Sequence, residues 1–268
     1  MKHLKSSAED LRELFDQNIT MRHIAEPLTS FDADYPASAV RLFMEDRDYD
    51  VVGVRHDGLV SGYVKRSDLD DGTLGEHICR FVSSDRLPDT TPLVDVFEAL
   101  RDSSHVFVLL LGQVGGIVTR GDLQKAPVRM WLFGLVCLIE MQLLRIIREH
   151  YPNDAWKSLL SDGRLAKAKD YHNDRRRRNE AIDLADCLQF ADKRDIVLAT
   201  TELRSTAGLE PKGSGERLLK DLEKLRDNLA HAQDIVTGYW PKLVDLARDA
   251  EVLLRRCEAA VVLPIVAT

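Results

Sequence analysis

Gly58-Leu-Val-Ser-Gly-Tyr-Val-Lys-Arg-Ser-Asp-Leu69 returns 54 residues later as Gly112-Gln-Val-Gly-Gly-Ile-Val-Thr-Arg-Gly-Asp-Leu123, identical at seven of twelve positions. The shared residues are Gly58/Gly112, Val60/Val114, Gly62/Gly116, Val64/Val118, Arg66/Arg120, Asp68/Asp122 and Leu69/Leu123. The same offset extends upstream. Asp50-Val-Val-Gly-Val pairs with Ser104-His-Val-Phe-Val, and Ala39-Val-Arg-Leu-Phe with Leu93-Val-Asp-Val-Phe. Each copy therefore predicts an amphipathic helix, a buried strand, a glycine turn, a second strand and a helix opening at Ser67-Asp68 or Gly121-Asp122. A β-α-β-β-α unit of this size cannot bury its own core, so the two copies should pack on one another.

Beyond Pro127 the apolar spacing changes to a helical period. One long apolar helix is expected over 128–150, then shorter ones over 154–160, 164–173, 180–190 and 195–203. A Gly/Pro/Ser-rich loop over 205–215 precedes a helix over 214–236, striped by Leu218, Leu222, Leu225 and Leu229, and a last helix over 241–261. The fold class is α+β: a tandem β-α-β-β-α pair over 18–126, then an all-α bundle over 127–268. Residues 1–17 read as a leading amphipathic helix with a Ser6/Glu9 capping box.

Composition sets further bounds. With 44% hydrophobic and 30% charged residues, the 268-residue chain is globular rather than disordered. A formal net charge of −7 excludes a uniformly basic nucleic-acid coat protein. That charge is unevenly placed: residues 1–126 carry 14 basic and 22 acidic side chains, residues 127–268 carry 23 and 22. Met130–Ile139 is the most apolar run, about half the ~20 residues that span a bilayer, so no membrane partner is expected. No signal-peptide core opens the chain, and Cys79, Cys137, Cys187 and Cys257 form no CxxC pair. A cytoplasmic location with reduced thiols is expected. Asp170, His172 and Asp174 have no His or Cys companions, so no metal is expected.

The repeated segments resemble the CBS domain, and the tandem pair resembles a Bateman module. Gly116-Ile-Val-Thr-Arg-Gly-Asp-Leu123 is similar to that family's closing signature; the first copy departs from it by carrying Lys65 where Thr is usual. The resemblance implies a regulatory adenine nucleotide (AMP, ADP or ATP) between the repeats. Thr119 and Asp122 would then meet the ribose hydroxyls, as would Asp68 in the other half, with Lys65, Arg66 and Arg120 at phosphates.

Arg226-Asp227-Asn228-Leu-Ala-His231 carries the chemistry of the second half. It resembles the R-polar-x-x-x-H motif of HEPN domains, an all-α family with many metal-independent endoribonucleases. His231 is fit to exchange a proton with a ribose 2′-OH or a leaving 5′-oxygen, and Arg226 to hold the phosphate as charge develops. Asp227 and His231, four apart, share a helix face, so Asp227 or Asn228 would orient the imidazole. RNA supplies its own nucleophile, so no metal is required, and the product would end in a 2′,3′-cyclic phosphate. A second Arg/His pair at the same spacing, Arg145 and His150, has Ile146 in the polar slot and reads as structural. Arg175, Arg176, Arg177 and Arg178 form a candidate RNA-gripping run.

Both resemblances imply a homodimer. The leading expectation is a nucleotide-controlled endoribonuclease of toxin or defence type acting on RNA, tRNA among the candidates. Its alternative is a non-catalytic adenine-nucleotide sensor whose helical domain binds a partner protein or RNA.

Overall fold

A computed structural model describes residues 13, 18–236 and 240–260. The helix expected over 1–17, with its Ser6/Glu9 box, lies outside these residues apart from Glu13. The chain divides into two compact units, with the boundary between Val128 and Arg129.

The first unit holds two four-stranded sheets. Its strands are β1 (Glu26–Pro27), β2 (Ser30–Asp32), β3 (Val51–His56), β4 (Leu59–Lys65), β5 (Cys79–Arg80), β6 (Arg86–Pro88), β7 (His105–Leu110) and β8 (Gln113–Thr119). Helices α1 (Ala37–Arg47) and α2 (Leu93–Ala99) take equivalent places in the two copies. In one sheet β2 runs parallel to β3, which pairs antiparallel with β4. In the other, β6, β7 and β8 repeat that pattern. The repeat reaches fine detail: both hairpins shift register at equivalent points, between Val54 and Arg55 and between Val108 and Leu109.

The short strands β1 and β5 cross over. β1 precedes the first copy yet pairs with β8 of the second; β5 pairs with β4 of the first. The identity Gly62/Gly116 has its cause here. A Cβ on Gly62 would stand 2.5 Å from the Cys79 carbonyl oxygen, and one on Gly116 3.1 Å from that of Glu26. Both glycines lie where a crossing strand's backbone approaches closely.

The hairpins turn on Asp57-Gly58 and Leu111-Gly112, all four residues at positive φ (50°, 77°, 51° and 82°). Two positive φ values make the tight turn that suits twisted strands. Alternation along β4 and β8 buries Val64 and Val118 fully, and Met44, Val52, Val54 and Leu74 close the core of the first copy. Each buried aliphatic side chain contributes roughly 1.5–3 kcal/mol before entropy is counted. The expected closing helices are corrected. After β4 only a 3₁₀ turn forms, Arg66–Asp68, and after β8 another, Arg120–Gln124.

The second unit holds helices and no strand among its described residues. Helix α3 (Ala126–His150) is followed by α4 (Asp162–Arg177), α5 (Phe190–Ala199), α6 (Thr201–Ala207), α7 (Lys212–Ala230) and α8 (Trp240–Ala259). By length and composition α3 is able to cross a membrane, but 61% of its most apolar window is buried inside the protein, as in a core helix. Four expectations change here. The helix expected over 154–160 is a 3₁₀ helix, Pro152–Leu159. Residues 180–190 form only the 3₁₀ turn Leu184–Cys187, because Asp183 and Asp186 cap each other's backbone instead of propagating a helix. The helix expected over 195–203 is split at extended Thr200, whose hydroxyl caps α6 by accepting from Leu203 N–H. Leu219, not Leu218, joins Leu222, Leu225 and Leu229 on the buried face of α7.

Candidate functional site

Two clefts of the first unit share part of their lining. One, of about 790 Å³, is lined by Asp50, Tyr63, Lys65, Arg66, Ser67 and His105 among others. The other, of about 740 Å³, is lined by Tyr49, Asp50, Ile117, Thr119, Arg120 and Asp122 among others. Asp50, Val51, Ser104 and His105 line both. Either volume suits a small ligand.

The second cleft is bonded to itself. The backbone N–H and hydroxyl of Thr119 both donate to one oxygen of Asp122, at 2.7 and 2.9 Å. The ammonium of Lys125 takes the other oxygen at 2.8 Å, and also meets Glu26 and the Ile24 carbonyl. Burial opposes the Lys125 charge, but the carboxylates of Asp122 and Glu26 outweigh it and raise its pKa. Arg120, expected at a phosphate, instead donates to the carbonyls of Leu100 and Arg101 at 3.2 and 3.0 Å. Those carbonyls lie at the end of α2, where a cation suits the helix dipole.

The first cleft differs. Asp68 is not among its lining residues; it is exposed and accepts from the Ser67 hydroxyl at 2.7 Å. No capping box forms, because Lys65 supplies no hydroxyl where Thr119 does in the second copy. Arg66 reaches Asp48 and Asp50 at 3.2 and 2.7 Å. Lys65 is exposed, and among the described residues no hydrogen bond or ion pair holds it. Sequence reasoning missed His105. Burial holds its imidazole below the usual histidine range, with Lys65 pushing the same way and Asp85 opposing. It stands edge-on to Tyr63, ring centroids 5.8 Å apart, and Tyr63 stacks against Phe81. The signal was present in the repeat: His105 occupies the place of Val51.

In the helical unit the side chains of Arg226 and His231 share no bonding partner among the described residues. Helix α7 ends at Ala230, and His231 is its exposed C-cap, with Ala232 at φ 53° beyond it. Arg226 is half-buried, 3.8 Å from Glu140 and over the Phe190 ring at 5.7 Å. The Asp227 carboxylate, expected to orient the imidazole, accepts from Arg226 at 3.0 Å. Among the described residues nothing bonds the His231 ring. The carbonyl of Asn228 accepts from Arg129, as do those of Leu229 and Gln233, so the first turn of the second unit grips the end of α7. The pair Arg145/His150 is structural: Arg145 donates to Gln142, Glu149 and the Cys257 carbonyl, and His150 is buried. Of the arginine run, Arg175 is tied to Glu180 at 2.6 Å and Arg177 to Asp174 at 3.1 Å, whereas Arg176 and Arg178 are exposed. No His/Cys/Asp/Glu group able to hold a metal occurs among the described residues.

No protein-family profile matches the chain, and no curated protein matches its sequence. Solved structures resemble part of it. One is an uncharacterised conserved protein from Pyrococcus horikoshii, 21% identical, covering 41% of this chain and 93% of its own, TM-score 0.37. Another is CBSX2 in complex with AMP, 18% identical, covering 41% and 97%, TM-score 0.37. A third is the CBS domain of the bacterial CNNM/CorC family Mg2+ transporter in complex with ATP, 14% identical, covering 45% and 94%, TM-score 0.36.

Proposed function

We propose that this chain is an adenine-nucleotide-sensing regulator. Residues 18–126 act as a CBS-type pair, and the helical unit carries the response by binding a partner protein or RNA. The observation that supports it is the pair of clefts at equivalent places in two strand-exchanged repeats, each large enough for a nucleotide. The signature turn Arg120–Gln124 runs into α3, and Arg129 on that helix holds the carbonyl end of α7. Ser104 lines both clefts and its carbonyl accepts from the Arg120 N–H at 3.4 Å, so a nucleotide against Ser104 has a route through this turn and α3 to α7. It shifts the response only by as much as its affinity differs between the two conformations. The homodimer belongs to this reading: Met130, Phe133 and Met141 are exposed within about 80° of one another around α3, a face suited to a second copy.

The chain carries its own reporter. All three tryptophans, Trp131, Trp156 and Trp240, are buried in the helical unit. AMP, ADP and ATP titrated into the full chain should change tryptophan emission, and Arg129→Ala should uncouple that change from binding measured by calorimetry. Binding with unchanged emission in the wild type refutes the coupling.

A second reading, favoured by the exposed and unbonded imidazole of His231, is that the helical unit cleaves RNA without metal, with Arg226 at the phosphate. Arg176 and Arg178 would add phosphate contacts. Mixed tRNA incubated with the wild type should yield 2′,3′-cyclic phosphate ends that His231→Ala abolishes. Equal cleavage by both proteins removes this reading.

A further inference from the structure

The two clefts offer a phosphate very different partners. A nucleotide monophosphate brings a charge of about −1.5 to −2 at neutral pH and needs donors that are not already committed. On the second side every cation is spent within the protein. Arg120 is held by two backbone carbonyls, and Lys125 by Asp122, Glu26 and the Ile24 carbonyl. Four carboxylates, Glu26, Asp48, Asp50 and Asp122, line the same cleft. Lys125 cancels part of that charge without offering a free N–H. Thr119, the expected ribose contact, donates its own hydroxyl inward to Asp122.

On the first side four carboxylates, Glu45, Asp50, Asp85 and Asp102, also line the cleft, but its cations are freer. Lys65 ends β4 at the cleft wall with its ammonium unengaged among the described residues. Among the described residues the Arg66 guanidinium is bound only to Asp48 and Asp50, whose side chains are 94% and 83% exposed. Such solvated pairs contribute roughly 0–1 kcal/mol, so the guanidinium can exchange one for a phosphate. Glu45 is matched by Arg41. Asp85 and Asp102 also line the cleft and are paired with no cation among the described residues, which leaves both as acceptors for sugar hydroxyls. The rings of Tyr63 and His105 form an apolar wall for a base.

We infer that the clefts are inequivalent: each chain takes one phosphate-bearing adenine nucleotide, in the first cleft with Lys65 as a phosphate contact, while the Thr119/Asp122 cleft is a bonded brace that rejects it. The substitution of Lys65 for the hydroxyl residue is then a gain of an anion contact rather than a loss of a ribose contact. The inference rests on the nucleotide-sensing reading above and assigns its stoichiometry and place.

Calorimetric titration of the full chain with AMP, and with adenosine as the phosphate-free control, tests it. One AMP should bind per chain. Lys65→Ala, a change at an exposed position, should weaken AMP by about tenfold or more, the worth of one charge-assisted contact, and leave adenosine unchanged. Gly121→Glu adds charge and bulk at the second cleft, where a Cβ meets nothing nearer than the Thr119 hydroxyl at 3.5 Å, and should leave AMP binding unaltered. Two AMP per chain of like affinity overturns the inference, as does loss of AMP in Gly121→Glu with Lys65→Ala unaffected; either result leaves the sensing reading standing. Failure of AMP, ADP, ATP and adenosine alike to bind at millimolar concentration overturns the sensing reading, and this inference with it.

Discussion

Alanine placed in turn at Gly62 and Gly116 should separate two positions that the repeat makes look alike. At Gly62 the new Cβ lies 2.5 Å from the Cys79 carbonyl oxygen and 2.6 Å from the Ile78 side chain. Ordinary contact needs about 3.5 Å, so β5 must retreat by about 1 Å. Overpacking of this kind costs about 1–3 kcal/mol. β5 is held by only two residue pairs, Gly62 with Arg80 and Tyr63 with Cys79, so its hydrogen bonds, worth about 0.5–1.5 kcal/mol each, weaken with it and lose about 0.7 kcal/mol between them. Against this, alanine restricts the unfolded chain, a gain of about 0.4–1 kcal/mol. The net cost for Gly62→Ala is about 2 kcal/mol. At Gly116 the nearest atoms lie 3.1–3.3 Å away, a few tenths of an ångström of relief suffices, and the net is near zero. Urea unfolding of the full chain, read by hydrogen exchange in peptides spanning 59–65 and 113–119, should show the midpoint of the first unit falling by about 1 M for Gly62→Ala and hardly at all for Gly116→Ala. Tryptophan emission, confined to the second unit, follows that unit separately. Equal shifts for the two variants, or a larger one at Gly116, would refute the close-approach argument.

Three further outcomes are expected. Leu111 is held at φ 51° on an exposed turn, where its counterpart is Asp57; Leu111→Asn should raise stability by about 0.5–1 kcal/mol in a thermal melt, since Asn tolerates the left-handed region that a Leu side chain resists. Burial depresses the folded-state pKa of His105, so the unfolded chain binds the proton more readily and stability falls as pH drops through about 6.5 and below. His105→Gln should flatten part of the decline between about pH 7 and 5 in matched melts, and an unaltered slope would show that this histidine carries none of it. Burial pushes the Cys257 thiol up to about 12, so iodoacetamide at mildly alkaline pH should spare Cys257 until the chain unfolds, while the less buried Cys79 reacts in the native protein.

The repeat was legible because two copies supply their own comparison. Strands β3, β4, β7 and β8, both hairpin turns and the two helices follow from period and offset alone. The crossing of β1 and β5 was not, because two-residue strands such as Glu26–Pro27 and Cys79–Arg80 have no periodicity to read. The shared Gly62/Gly116 is its trace, intelligible only once the neighbouring backbone is seen. In the helical half the extents of α3, α4 and α8 were close, whereas α7 stops six residues short of the expected end, at Ala230. Misreadings fell where polar side chains bond the backbone locally, at Thr200 and at Asp183/Asp186, and so override helical spacing. The site residues divide similarly. A motif at fixed spacing located Thr119, Asp122, Arg226 and His231, but spacing does not say which partner a side chain chooses. Asp122 chose Thr119 and Lys125, and Asp227 chose its neighbour Arg226. Such choices depend on which charge is closest after folding.

The crossing of β1 and β5 bears on how such a protein can arise. Cut from its sibling, one unit would own a strand with no sheet to join and a sheet missing its edge strand. Two separate molecules could cure both defects only by trading strands, at a cost set by their concentration. Joined on one chain, the trade becomes a first-order event at an effective concentration of order millimolar. Duplication within a single polypeptide thus turns an obligate partnership between molecules into an internal one, and neither copy is thereafter free to be lost without unmaking the other.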